Sequence, residues 1–369
     1  MANIAFRLDK ERAASEGLAS EGLASLRQRD WWAAGLALLS VRFIQGFVYW
    51  GGGSRRFIYG PSKLDPNATT WMANKFQTAM PGALFGTDHI ISYMLTHFWL
   101  LYAGVILFSA AELIVGLMLM TGFLTRFAAL VSMGFSVLLM AMFGWQGATC
   151  IDEWTMAACN LAMGATLVMG GAGAYSVDSY LVQRHPALAQ KGWFRWASGA
   201  SPLDLSLPNY RTLGLLLFAF VAIFDIGTYS YYRGSVVTPF HSGPVSPTKH
   251  HLSLGHAAVH ADGGVTFHVY LDAGTPEAPV HVVAASLLDA QMKPVAHWDT
   301  AALSAMPKTA FANDYAYNKF GPGPFGIRAP MGAAATITLP PPASGPAQGA
   351  AYVRLTDVDG QSFTAPLGQ

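Results

Sequence analysis

Three side chains able to act as nucleophile or acid–base stand close together in the stretch Trp145-Gln-Gly-Ala-Thr-Cys-Ile-Asp-Glu-Trp154: Cys150, Asp152 and Glu153. A thiolate attacks sulfur, and a neighbouring cation lowers its pKa enough to make it reactive at neutral pH; a structural thiol is the equally weighted reading of Cys150. The two carboxylates can carry the protons that a redox step takes up or releases. A second stretch brings Arg55 and Arg56, then Asp88, His89 and His97. Arginine gives paired, charge-assisted hydrogen bonds to the oxygens of an anion.

Ionisable residues inside apolar runs form a third group: Arg42, Glu112 and Asp225. Such residues cost several kcal/mol in lipid unless they are paired or line a cavity. Counted from its own helix end, Arg42 lies roughly 16 Å deep and Glu112 about 15 Å. Equal depth predicts an Arg42 to Glu112 ion pair near mid-membrane, either purely structural or lining a ligand or proton path.

The elements that must hold these groups follow from composition. The chain has 369 residues, 52% hydrophobic and only 12% charged, which places it among membrane proteins. A bilayer core about 30 Å thick needs roughly 20 apolar residues per helix. Five stretches reach that length: Trp31 to Trp50, Phe98 to Gly122, Phe127 to Trp145, Trp154 to Gly173 and Thr212 to Tyr232. The expected fold is therefore an α-helical membrane bundle of about five transmembrane helices over 31–232, after a cytoplasmic tail at 1–30. Lys and Arg crowd the tail, the turn at Arg126 and the connection from Arg184 to Arg211. By the positive-inside rule these face the cytoplasm, so the N-terminus lies inside and the C-terminal part outside the inner membrane, in the periplasm. No cleavable leader is expected, because polar residues precede a span-length first run.

From 233 to 369 the pattern changes to short alternating runs with Pro and Gly between them, as in Val265-Thr-Phe-His-Val-Tyr-Leu271. Pro279 to Leu288, Ala333 to Leu339 and Ala351 to Thr356 also read as strands, giving an all-β, sandwich-like extracytoplasmic domain. Asn313 to Pro330 reads as an ordered loop at its end. The long connection after Trp50 includes Trp71 to Phe85, which suits a helix lying on the membrane interface. The histidines have no zinc-motif spacing, so no metal is expected. Cys159 reads as a buried structural thiol, and a Cys150 to Cys159 disulfide is conceivable but not required. Neither haem, flavin nor iron–sulfur motifs occur.

Two motifs resemble the DoxX/DoxD superfamily: Ala111-Glu-Leu-Ile-Val-Gly116 leading to Gly122-Phe-Leu-Thr-Arg126-Phe-Ala-Ala129, and Arg42-Phe-Ile-Gln-Gly46-Phe47. The long connection and the segment around Cys150 look closer to DoxD than to generic DoxX proteins. His268-Val-Tyr-Leu-Asp-Ala273 and Lys319-Phe-Gly-Pro-Gly-Pro-Phe325 are similar to DoxA. The resemblance implies a DoxX-like four-helix core and a natural fusion of the two subunits of thiosulfate:quinone oxidoreductase. It also implies the reaction, thiosulfate to tetrathionate with quinone reduced to quinol. On that reading Cys150 holds a sulfane sulfur, and His97 with Asp152 or Glu153 handles protons. Arg55, Arg56 and His89 bind thiosulfate, and Arg42, Glu112, Trp99, Trp145 and Trp154 surround quinone. Quinone is then the electron-accepting co-substrate, with no nucleic acid involved. A homo-oligomer or an association with a terminal oxidase stays open, as does a non-enzymatic membrane anchor that recruits a soluble sulfur-oxidising partner.

Overall fold

The computed structural model describes residues 29–146, 153–173, 175–233, 242–343, 345 and 347–368. Four of its helices are long and apolar enough to cross a membrane: α1 (Arg29–Tyr59), α4 (Phe98–Thr121), α5 (Thr125–Phe143) and α9 (Leu207–Arg233). The fourth apolar stretch forms α6 (Glu153–Gly170), an 18-residue helix. Between α1 and α4 lie two short helices, α2 (Met72–Ala79) and α3 (Thr87–Thr96). After α6 come α7 (Val177–Arg184) and α8 (Gly192–Ala197). By packing, the chain divides into two compact units.

The first unit comprises 1–54, 110–135 and 160–221. Here α1 and α4 approach to backbone contact through glycine. A Cβ at Gly46 would stand 2.6 Å from the Met120 amide nitrogen, and one at Gly53 would stand 2.7 Å from Leu113. Helices in lipid gain from such close approach because apolar side chains find tails as apolar as themselves. The tight turn from α4 to α5 uses left-handed backbone at Gly122 (φ 70°) and Leu124 (φ 43°). Asp178, fully buried, accepts hydrogen bonds from the Leu124, Thr125 and Gly199 amides at 2.7, 3.1 and 2.7 Å. It thereby satisfies the orphan donors at the start of α5, where a carboxylate also suits the helix dipole.

The second unit comprises 55–109, 136–159 and 222–369. Its C-terminal part is all-β, with strands β1 (His251–Val259), β2 (Val265–Ala273), β3 (Val280–Leu288), β4 (Pro294–Trp298), β5 (Phe311–Asn313), β6 (Gly321–Gly323), β7 (Gly326–Ala329), β8 (Ala334–Leu339), β9 (Tyr352–Asp357) and β10 (Ser362–Pro366). They form two antiparallel sheets ordered β1-β2-β8-β5 and β10-β9-β3-β7-β6, with β4 on β3. The strands foreseen from alternation are β2 (Val265–Ala273), β3 (Val280–Leu288), β8 (Ala334–Leu339) and β9 (Tyr352–Asp357). Phe267, Val269, Leu271, Leu287, Ile337 and Leu355 are all fully buried, which is the period-two pattern read as one core. Inside the expected loop from Asn313 to Pro330, two short strands, Gly321–Gly323 and Gly326–Ala329, pair as a hairpin.

The segment expected to lie on the membrane interface packs against this β domain. In α2, Gln77 is fully buried; its Nε2 donates to Asn318 O (2.8 Å) and Gly332 O (3.0 Å), and its Oε1 accepts from the Asn318 amide (2.9 Å). One amide side chain so satisfied fixes both partners' backbone, and no lipid surface offers that pairing. Trp145 is fully buried too, its indole donating to Ala79 O at 2.8 Å.

Candidate active site

Arg42, Glu112 and Arg126 are buried, and burial of charge invites a functional reading. In the first unit, Arg42 donates from Nη1 to Ala172 O and from Nη2 to Tyr175 O, each at 2.7 Å. The expected ion pair with Glu112 is not formed. Glu112 is buried beside Gly52, its Oε2 3.7 Å from where a Cβ on Gly52 would stand, whereas Arg42 lies beside Gly122. Ten residues of helix separate Gly52 from Arg42, about 15 Å. Depth counted from each helix's own end assumes level ends, but glycine contacts set the register here. Arg126 is likewise spent on backbone: Nε donates to Val168 O (3.0 Å), Nη1 to Ser198 O (2.6 Å) and Nη2 to Ser201 O (2.7 Å). The motif of Gly122 to Ala129 is therefore a structural knot.

Among the cavities that described residues line in the second unit, two bear on the expected site. The first, of about 610 Å³, is polar; it is lined from α2 by Asn74, Lys75 and Thr78, beside α6 by Gln146 and Glu153, and from the β domain by Glu277, Tyr317, Asn318 and Arg328. Gln146 is only 2% exposed, and its Nε2 has no hydrogen-bond partner among the described residues. A buried donor without a partner costs about 1–3 kcal/mol, so this one marks a place for an acceptor. Burial holds the Tyr317 phenol above its ordinary pKa, keeping it a neutral donor.

The second cavity, about 220 Å³, is apolar, between α2, α3, α4 and α5. Phe76, Ile91, Phe108, Leu138, Met142 and Phe143 form its walls, with Arg56, Lys63, Lys75 and Glu153 among the lining residues. A cavity of about 150 Å³ takes up benzene. This one accordingly admits one substituted ring, and its cations can face polar atoms on that ring.

Lys75 and Glu153 line both cavities, and they form an ion pair. Lys75 Nζ also lies 5.4 Å from the centre of the Phe143 ring. Burial pulls the Glu153 carboxyl upward, but the charge and hydrogen bond of Lys75 outweigh it and leave the group below its ordinary pKa. Glu153 precedes the fourth apolar stretch and is an ionised carboxylate at neutral pH.

The other expected site residues are dispersed. Arg56 lines the apolar cavity and donates to Ser109 Oγ at 3.4 Å, while its neighbour Arg55 is exposed. Both belong to a π-helical turn, Arg55–Tyr59, a local irregularity that often accompanies function. His89 is exposed beside Asp88. His97 ends α3, stacked on Tyr93 with ring centres 4.0 Å apart, its Nδ1 2.8 Å from Tyr93 O. Trp99 is 78% exposed, and the Trp154 indole donates to Thr228 Oγ1 at 2.9 Å. Trp99, Trp145 and Trp154 line neither of these cavities, and neither do His89 and His97. Cys150 and Asp152 lie outside the described residues, as does any disulfide to Cys159. Cys159 is exposed on α6 rather than buried. Lys75, Gln146 and Arg328 were not singled out by sequence; the one available signal was a lone lysine in an otherwise uncharged helix.

Two family models match the chain: TQO small subunit DoxD over residues 37–200 and TQO small subunit DoxA over residues 232–365. No solved structure matches it. TQO is thiosulfate:quinone oxidoreductase, so the cavities belong to a protein with a role in thiosulfate oxidation. The chain belongs to the DoxD and DoxA families, carrying both TQO small subunits in one polypeptide.

Proposed function

We propose that this protein is a membrane thiosulfate dehydrogenase that joins two thiosulfates into tetrathionate and passes the two electrons to a membrane quinone. The observation that carries this reading is the Lys75–Glu153 pair standing between a polar and an apolar cavity. A dianion and a lipid-soluble ring need opposite surroundings, yet electrons must pass between them over a short distance. One shared wall meets both demands.

In the polar cavity, Arg328, Lys75 and the unpartnered Gln146 amide offer donors to sulfonate oxygens. Gln146 and Glu153 flank the stretch that carries Cys150. The Cys150 thiolate bonds to the sulfane sulfur of one thiosulfate, giving a cysteinyl thiosulfonate and releasing two electrons. A second thiosulfate attacks that adduct, forming tetrathionate and returning the thiolate. In the apolar cavity a quinone ring accepts the electrons and two protons. Arg56, Lys63 and Lys75 stabilise the negative charge that builds on its oxygens. Glu153 takes the proton-handling role expected of His97. With α6 counted as a fifth crossing, a cytoplasmic N-terminus places the β domain in the periplasm.

Purified full-length protein should reduce decylubiquinone with thiosulfate as sole donor and accumulate tetrathionate. Well-folded protein with no turnover would instead favour the membrane anchor that recruits a sulfur-oxidising partner. Cys150→Ser should abolish turnover at normal protein levels; full retention removes the adduct step.

A further inference from the structure

We infer that a separate basic groove on the β domain binds a second sulfonate-bearing dianion, incoming thiosulfate or departing tetrathionate. The inference rests on the reading of thiosulfate as substrate. The groove, about 460 Å³, is lined by Lys308, Lys319 and Arg328 over Phe311 and Phe320. None of these three cations makes a side-chain hydrogen bond or ion pair with a described residue. Its lining contains no acid. In the polar cavity, by contrast, Lys75 and Arg328 are balanced by Glu153 and Glu277.

Three cations lining one groove without a counterion make a local positive potential that draws anions and raises their local concentration. The groove is also preformed. Asn313 donates from Nδ2 to Phe320 O (3.0 Å) and accepts from the Phe320 amide (2.7 Å), fixing the backbone next to Lys319. Arg328 lines both the groove and the polar cavity, so one cationic residue borders both spaces. Joining two dianions requires overcoming their mutual repulsion, and a cation between them lowers it. The geometry thus gives each of the two thiosulfates a place on either side of Arg328.

The test uses full-length protein in detergent and the double variant Lys308→Gln, Lys319→Gln, with Lys293→Gln as a control on another exposed loop. Sodium thiosulfate and sodium tetrathionate should each raise the wild-type and Lys293→Gln melting temperatures above those in sodium chloride of equal ionic strength. The double variant should lose most of that rise. The dianion that stabilises at lower concentration identifies the preferred occupant. In steady state the double variant should show a thiosulfate KM raised about tenfold, a flatter dependence on ionic strength and an unchanged decylubiquinone KM. Equal stabilisation of wild type and double variant, or an unchanged thiosulfate KM, overturns the groove. A wild type without thiosulfate-dependent quinone reduction sinks the enzymatic reading instead, and the melting comparison still decides the groove.

Discussion

Two regions rich in charge use it in opposite ways. Around Arg42, Arg126 and Asp178, the charged groups are spent on main-chain partners: carbonyls at Ala172, Tyr175, Val168 and Ser198, amides at Leu124, Thr125 and Gly199. Around Lys75 and Glu153, charges pair with each other and still face open space on two sides. An ionisable residue within an apolar run is thus no guide to chemistry by itself. What separates structure from function here is whether the group's hydrogen-bonding capacity is consumed by the fold or left facing a cavity.

That contrast breaks most sharply at Asp178. Replacing it by alanine strands several buried amide donors and should cost about 3–5 kcal/mol. Folded yield, followed by size-exclusion chromatography of a fluorescent fusion, should collapse, while any molecules that do fold keep their specific activity. A specific activity lost at normal yield would assign Asp178 to the site.

The opposite pattern is expected at the wall between the cavities. Lys75→Met and Glu153→Gln should fold but lose about a hundredfold in thiosulfate-dependent quinone reduction, within the range for a lost proton-transfer or charge-stabilising group. The pair should also leave a pH signature. Glu153 has a folded pKa below its unfolded value of about 4.3, so its contribution is fully present above that pH and is lost as pH falls through the lower folded value. The wild-type melting temperature should therefore hold from pH 7 to about 5 and decline below it. In Lys75→Met this decline should vanish or reverse, since burial without the lysine lifts the folded carboxyl above its unfolded value, and such a group adds stability as pH falls. Identical profiles would show that the pair contributes nothing to folding.

The smallest effects test the helix register. Gly46→Ala places a Cβ 2.7 Å from Gly116 O and should cost about 1–3 kcal/mol, the usual price of overpacking. Gly51→Ala meets nothing within 4 Å and should be neutral or up to about 1 kcal/mol stabilising through helix propensity. Thermal melts of the two variants suffice, and equal melting temperatures would refute the close packing of α1 on α4.

The sequence by itself determined the class of the protein and much of its local structure. Length and hydropathy are additive properties of consecutive residues, so the apolar helices were legible, and so were strands such as Val265–Ala273 from their alternation. The family motifs were legible for the same reason. Only the tertiary structure decided which side chains meet. Gln77 and Asn318 are 241 positions apart, and neither residue carries a local sign of the other. Lys75 reads as one more loop lysine until α2 packs on the β domain and sets it against Glu153. Arg42 and Glu112 matched in depth and still missed each other, because glycine contacts fix the register of α1 on α4 and hydropathy does not encode register.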